Sequence, residues 1–134
     1  MSVPTIVDTS VWIDVFRDAS RKAKLLKTVD PEDVVLTPFT ELELFQGCRD
    51  EQEWSLLASY LETQDFLEPN RTTWKAAARV YFDLRRQGLT VRSPIDCCIA
   101  QVAIDHSMLL LHRDMDFSVI AGIRPLQQIY LQWD

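Results

Sequence analysis

Five carboxylates stand where apolar segments give way to helix starts: Asp8, Glu43, Asp96, Asp114 and, close behind it, Asp116. Solvated surface charges have no reason to favour such places, whereas ligands of an open parallel sheet collect outside the carboxyl ends of its strands. Asp8 closes Thr5-Ile6-Val7 and opens Thr9-Ser10-Val11-Trp12, a short buried strand feeding a helix. Asp114 follows a second strand-like run, Met108-Leu109-Leu110-Leu111, within His112-Arg113-Asp114-Met115-Asp116-Phe117. Carboxylates brought together repel one another and stay ionised only beside a strong counter-charge. Oxygen-only ligands select a hard cation, Mg²⁺ or Mn²⁺, over zinc. Such an ion lowers the pKa of a bound water and stabilises the leaving oxygen of a phosphodiester, so the chemistry indicated is phosphodiester hydrolysis. His106 and His112 offer no zinc alternative, because neither has a Cys or Glu nearby at ligand spacing.

Each acid also has a purely structural reading. Aspartate is a favoured N-cap, and Asp8 suits the helix that follows it, although Ser10 competes for the same job and would free Asp8. Glu43 belongs to a helix announced by Thr37 as cap and Pro38 at the first helical position. It shares a face with Phe39 and Gly47, the pattern of a buried acid beside a close approach, and Glu41 carries no such signal. Ser93-Pro94-Ile95-Asp96 fits a capping box, yet Asp96 also shares its face with Ile99, Ala100 and Ala103, which should point into a core. A carboxylate there is costly unless a cation or donor meets it. Asp114 and Asp116 both suit the cap of a following turn; Asp114, nearer the strand end, is the expected metal ligand, with Asp116 as an auxiliary ligand or its neighbour.

The elements that must position these residues follow from periodicity. Strands are expected near 3–8, 34–36, 66–67, 108–112 and 127–131. Helices are expected over 10–17, 20–28, 38–47, 51–62, 71–87 with a stop at Gly88, and 94–106, followed by a helical turn to about 121. Short apolar strands alternating with amphipathic helices imply an α/β fold with a mainly parallel central sheet.

The 134 residues suit one compact domain spanning 1–134, and 47% hydrophobic content supports a core. No apolar run approaches the roughly 20 residues of a membrane span, and Met1-Ser2-Val3-Pro4 lacks the features of a signal peptide. The expectation is a soluble, cytoplasmic protein without a membrane partner, its three cysteines reduced. A formal net charge of -6 argues against a nucleic-acid partner only weakly. Cations bound by the clustered acids would offset part of it, and basic residues gather in 17–24 and at Arg79, Arg85, Arg86 and Arg92. The Trp-bearing segment 51–62 fits core packing and a partner surface equally well.

Asp8-Thr9-Ser10, Glu43-Leu44 with Gly47 four residues on, Asp96 with Ile99-Ala100 and Ala103, and Arg113-Asp114 with Asp116-Phe117 together resemble the PIN-domain nucleases, in particular the VapC-type toxins of toxin-antitoxin modules. The resemblance spans essentially the whole chain in the right order. It implies a three-layer α/β/α domain and a Mg²⁺- or Mn²⁺-dependent endoribonuclease acting on RNA. It further implies a homodimer restrained by a VapB-type antitoxin whose tail fills an acidic groove. Carried over by position, Asp8, Glu43, Asp96 and Asp114 are the catalytic acids and Thr9 or Ser10 is the hydroxyl beside the metal; the resemblance leaves Glu41 and Asp116 unsettled, and by its position Asp116 joins Asp8, Asp96 and Asp114 as an expected metal ligand. Arg113 and His112 are auxiliary. His112 departs from the family, which often has Thr or Ser there, leaving open whether it assists at the phosphate or fills space. Two rival readings stand beside this one. A phosphatase with an Asp nucleophile needs a second Asp where this chain has Ser10, and a catalytically idle interaction module would use the acids only as caps.

Overall fold

Strands and helices alternate along the chain in the computed structural model, which describes residues 3–133. The order is β1 (Thr5–Val7), α1 (Thr9–Arg17), α2 (Ala19–Thr28), a 3₁₀ turn (Pro31–Asp33), β2 (Val34–Leu36), α3 (Pro38–Gln46), α4 (Glu51–Leu61) and β3 (Asp65–Phe66), followed by α5 (Arg71–Arg86), α6 (Pro94–Asp105), β4 (Leu109–His112), α7 (Met115–Ala121) and β5 (Gln128–Tyr130). The strands form one sheet in the order β3-β2-β1-β4-β5. Every pairing is parallel, with Ile6 of β1 opposite Val35 of β2 and Leu110 of β4. The expected mainly parallel sheet is thus parallel throughout the described strands.

Alternation along the strands splits the core into two layers, because successive side chains leave opposite faces of a sheet. Ile6, Val35 and Leu110 pack on one face with Val80 and Leu84 of α5, Ile99 and Ala103 of α6, and Phe117 and Ile120 of α7. Val7, Val34, Leu36 and Leu111 pack on the other with Val11, Trp12 and Val15 of α1, Leu25 of α2 and Leu61 of α4. The result is the three-layer arrangement, with a central sheet whose strands β1 and β2 are buried on both faces. Cys97 sits in the first of these layers, and all three cysteines are free thiols.

Local chemistry sets where the helices begin and end. Side chains of Asp8, Asp18, Thr37, Asp50, Asn70, Ser93 and Asp114 cap the seven α-helices by accepting hydrogen bonds from first-turn backbone N–H groups. Beyond the end of α5, Gly88 adopts φ 73°, a conformation that other residues rarely reach. The 3₁₀ turn was not anticipated; Asp30 caps it and Pro31 starts it, and three residues are too few to show a period.

The carboxyl-terminal segment closes the second core layer. Trp133 is buried there, its Nε1–H donates to Asp14 Oδ2 at 2.9 Å, and Lys24 Nζ donates to its carbonyl at 2.6 Å. Trp133→Ala is expected to lower unfolding free energy by about 3 kcal/mol in urea titrations. A loss no larger than that of a surface substitution, about 0.5 kcal/mol, would show that the tail is not part of the core.

Candidate active site

β1 and β4 are neighbours, so their carboxyl ends emerge side by side, and the residues that follow them meet. Asp8 extends the β1 ladder, its N–H donating to Leu111 O at 2.9 Å. Ser10 then bridges the two strand ends: its Oγ donates to Asp8 Oδ2 at 2.7 Å and accepts from Arg113 N–H at 2.9 Å. One short hydroxyl thereby joins the loop carrying Asp8 to the loop carrying Asp114.

Asp96 arrives from the amino end of α6 and completes a group of acids. One oxygen each of Asp96, Asp114 and Asp116 lies within 4.8 Å of the others. Asp8 and Glu43 lie outside that group but share its field. Burial pushes the Asp96 carboxyl up to about 8, reinforced by repulsion from Asp114, Asp8, Glu43 and Asp116 in that order. Asp8 is also raised, mainly by burial, against the lowering effect of its bonds from Ser10. Glu43 is raised by burial, by Asp8 and by Asp114, while a hydrogen bond from Thr9 Oγ1 to its Oε1 at 2.8 Å acts the other way.

Two observations indicate that a cation suits this place. Asp8 Oδ1 is buried with no hydrogen-bond partner among the described residues, a costly arrangement for a carboxylate unless an ion meets it. The three side chains that converge, Asp96, Asp114 and Asp116, all offer carboxylate oxygens, the donor type that hard divalent ions take.

Several local expectations change. Ser10 does not take over the cap of α1; Asp8 caps it through Oδ2, accepting from Ser10 N at 3.0 Å, and keeps Oδ1 free. Ser93 caps α6, but the Asp96 carboxylate makes no reciprocal bond to Ser93 N, so the capping box is half made and the acid is released. Gly47 does not mark a close approach beside Glu43: a Cβ there would meet only backbone oxygens at 3.5 and 3.7 Å, ordinary contact distances. The Arg113 side chain turns away from the acids, pairing with Asp14 at 2.9 Å and lying over the Tyr130 and Trp133 rings.

His112 is fully buried and both ring nitrogens are used within the fold. Nδ1 accepts from Asp114 N–H at 3.1 Å, and Nε2 faces Gln128 Oε1 at 2.6 Å. Because a backbone N–H can only donate, the proton must sit on Nε2. His112 therefore fills space and holds the Asp114 loop instead of reaching a phosphate. Sequence reasoning missed Arg92 as a site residue. Its guanidinium pairs with Asp114 at 2.6 Å and Asp116 at 3.3 Å, and its signals in the sequence were its place among the basic residues and directly before the Ser93 cap of the Asp96 helix.

A model of the PIN domain family matches residues 5–123. The chain belongs to the PIN-domain family. It is 33% identical over 127 residues to the VapC ribonuclease Mb1587 of Mycobacterium bovis, covering 91% of this chain and 95% of that protein. It is 30% identical over 131 residues to ribonuclease VapC51 of Mycobacterium tuberculosis, covering 96% and 95%. Among solved structures, VapBC-1 of nontypeable Haemophilus influenzae superposes with a TM-score of 0.75 at 21% identity, covering 96% of this chain and 97% of that one. FitAcB of Neisseria gonorrhoeae gives 0.73 at 21% identity, covering 93% and 96%. These likenesses match the parallel sheet and its helical layers with known PIN domains.

The shifted acids make this PIN domain's metal-free stability depend on pH. A carboxyl raised in the folded state binds its proton more tightly there than in the unfolded chain, so its contribution is full below the ordinary 3.8 and is lost as pH rises towards about 8. In EDTA the melting temperature is expected to fall between pH 5 and pH 8, and Asp96→Asn should flatten that slope. A wild-type slope that the variant leaves unchanged would refute the placement of Asp96 among the acids.

Proposed function

We propose that this chain is a metal-dependent endoribonuclease, the toxin of a toxin-antitoxin module, acting as a single nuclease domain over 1–134. The observation that carries this reading is the convergence of Asp96, Asp114 and Asp116 at the ends of a parallel sheet beside a partnerless Asp8 oxygen. Membership of the PIN family, with relatives named as VapC ribonucleases, supports RNA as the substrate. Mg²⁺ or Mn²⁺ fits the oxygen-only donors, with Asp96, Asp114, Asp116 and Asp8 Oδ1 as the groups that would hold it. When bound, the ion supplies an activated water and charge for the phosphodiester oxygens.

The chain's own residues then have distinct tasks. Ser10 fixes Asp8, and His112 fixes the loop of Asp114. Glu43, steadied by Thr9 and more basic than an ordinary glutamate, is suited to orient the attacking water and accept its proton. Catalysis takes the four acids Asp8, Glu43, Asp96 and Asp114, with Asp116 as a further ligand and Thr9 and Ser10 as the hydroxyls that hold them. Arg113 supports the site from behind.

A VapB-type antitoxin is the proposed protein partner. A groove of about 970 Å³ runs between α1, α2, α3 and α4, lined by Trp12, Phe16, Leu25, Leu44 and Leu57 and reaching Glu43. Its lining is mostly apolar, with Arg17, Lys22 and Arg49 beside Glu43 and Glu53, which suits an antitoxin segment with an apolar face. The α4 segment contributes to this surface more than to the core: Leu61 alone is fully buried, while Glu53, Leu56, Leu57 and Tyr60 line the groove. Homodimer formation is also proposed, with exposed Leu42 and Trp74 as available apolar surface. No helix among the described residues is long and apolar enough to cross a membrane, and an RNA substrate goes with action in the cytoplasm.

Incubating purified protein with total cellular RNA, with and without Mg²⁺, and mapping the cut ends tests the reading. Asp8→Asn and Asp96→Asn are each expected to lower Mg²⁺-dependent cleavage by at least about 100-fold while keeping the fold, since losing a ligand should exceed the loss of a ligand's supporting partner. Undiminished cleavage in either variant would remove that residue from the site, and a wild type that never cleaves would favour an idle interaction module. Mn²⁺ should also raise the wild-type melting temperature, because a ligand of the folded state alone stabilises it by mass action. Indifference to Mn²⁺ would leave Asp8 and Asp114 as helix caps only.

A further inference from the structure

Arg92 lies in the connection between α5 and α6, with its side chain 77% exposed. Two other exposed arginines with an ion-pair partner find it four residues along, Arg49 with Glu53 and Arg79 with Asp83. Arg92 instead reaches across 22 and 24 residues of sequence to two acids of the same pocket. Its Nη2 donates to Asp114 Oδ2 at 2.6 Å, its Nε donates to Asp116 Oδ2 at 3.3 Å, and its backbone N–H donates to the same Asp116 oxygen at 2.9 Å.

The bonding leaves no Asp114 oxygen unused. Oδ1 accepts from Asp116 N at 3.0 Å as the cap of α7, and Oδ2 is held by the guanidinium. A dication on Oδ2 would sit against a positive charge bonded to the same atom. The two cations cannot share that oxygen without strong repulsion. An exposed ion pair is also weak, so a divalent ion with several carboxylate ligands can displace it.

We propose that Arg92 is a built-in counter-cation of the acidic pocket, so that metal binding is an exchange: the incoming ion takes Asp114 and Asp116, and the guanidinium is released to solvent. This inference rests on the metal reading given under the proposed function. It assigns Arg92 a task in the metal-free protein, holding two repelling acids together, and makes it a competitor that lowers the pocket's apparent affinity. The backbone N–H of Arg92 remains after side-chain truncation, so Asp116 keeps one of its donors and the side chain's effect can be read alone.

Mn²⁺ affinity of the purified, RNA-free chain, followed by the electron paramagnetic resonance of free Mn²⁺, tests the exchange. Arg92→Ala is expected to bind Mn²⁺ roughly threefold to tenfold more tightly than the wild type, the gain from deleting one exposed ion-pair competitor. Arg92→Lys, which keeps the charge without the fork, should fall between them. Equal or weaker affinity in Arg92→Ala overturns the proposal while leaving the metal site standing. Absence of Mn²⁺ binding to the wild type and to both variants overturns the metal reading and this proposal together. A second measurement needs no variant: in ¹⁵N-labelled wild type titrated with Mg²⁺, the Arg92 Nε–H resonance should move in step with the amides of Asp96 and Asp116. Amides that shift while Nε–H stays fixed would equally sink the exchange.

Discussion

Repulsion among carboxylates at the shared end of β1 and β4 is the constraint around which the rest of the molecule is arranged. Four acids raise the Asp96 carboxyl on top of its burial, a field that exists only because the sheet register brings distant parts of the chain together. Such a concentration is unfavourable unless each acid is held by something other than its neighbours. The holding groups are small and local: the Ser10 hydroxyl on Asp8, the Thr9 hydroxyl on Glu43, the α7 backbone on Asp114 and the Arg92 guanidinium on Asp114 and Asp116.

Capping and metal binding turn out to be compatible because a carboxylate has two oxygens. Asp8 caps α1 with Oδ2 and leaves Oδ1 free, and Asp114 caps α7 with Oδ1 and turns Oδ2 towards the pocket. Capping also fixes the rotamer: the second oxygen of Asp8 is aimed with no hydrogen bond of its own, while that of Asp114 accepts one from Arg92. Asp96 reaches the same end differently. Its cap is supplied by Ser93, and it is buried, so desolvation first and the charge of its neighbours second act on it.

Behind the acids lies a second set of residues whose work is support. His112 stands beneath the Asp114 loop, flanked by Phe117 and Tyr130, while Arg113 anchors the same loop to Asp14 and to the Leu131 carbonyl. Trp133 and Arg21 complete this anchor, with Arg21 also paired to Asp14 and Asp18. Much of the basic charge near the amino-terminal helices is therefore spent internally, which lessens what the 17–24 cluster can offer to a polyanion.

Apart from the 3₁₀ turn, element types and order, the parallel α/β class and the candidate acids were legible in the sequence, because period, capping residues and proline act within a few residues of chain. β1, β4 and β5 are shorter than expected, β3 lies one residue earlier and β2 falls where expected, as the pairing partners decide where a ladder stops. The sequence alone thus determined that acids stand at strand ends and helix starts, and that Asp96 faces a core. Only the tertiary structure decided which of them meet, that His112 and Arg113 turn inward, that Gly47 is incidental and that Arg92 belongs to the site. Those outcomes depend on distances between residues separated by as many as 103 positions, such as Ser10 and Arg113, and on which of two carboxylate oxygens a neighbour occupies. Neither quantity is written in any local pattern.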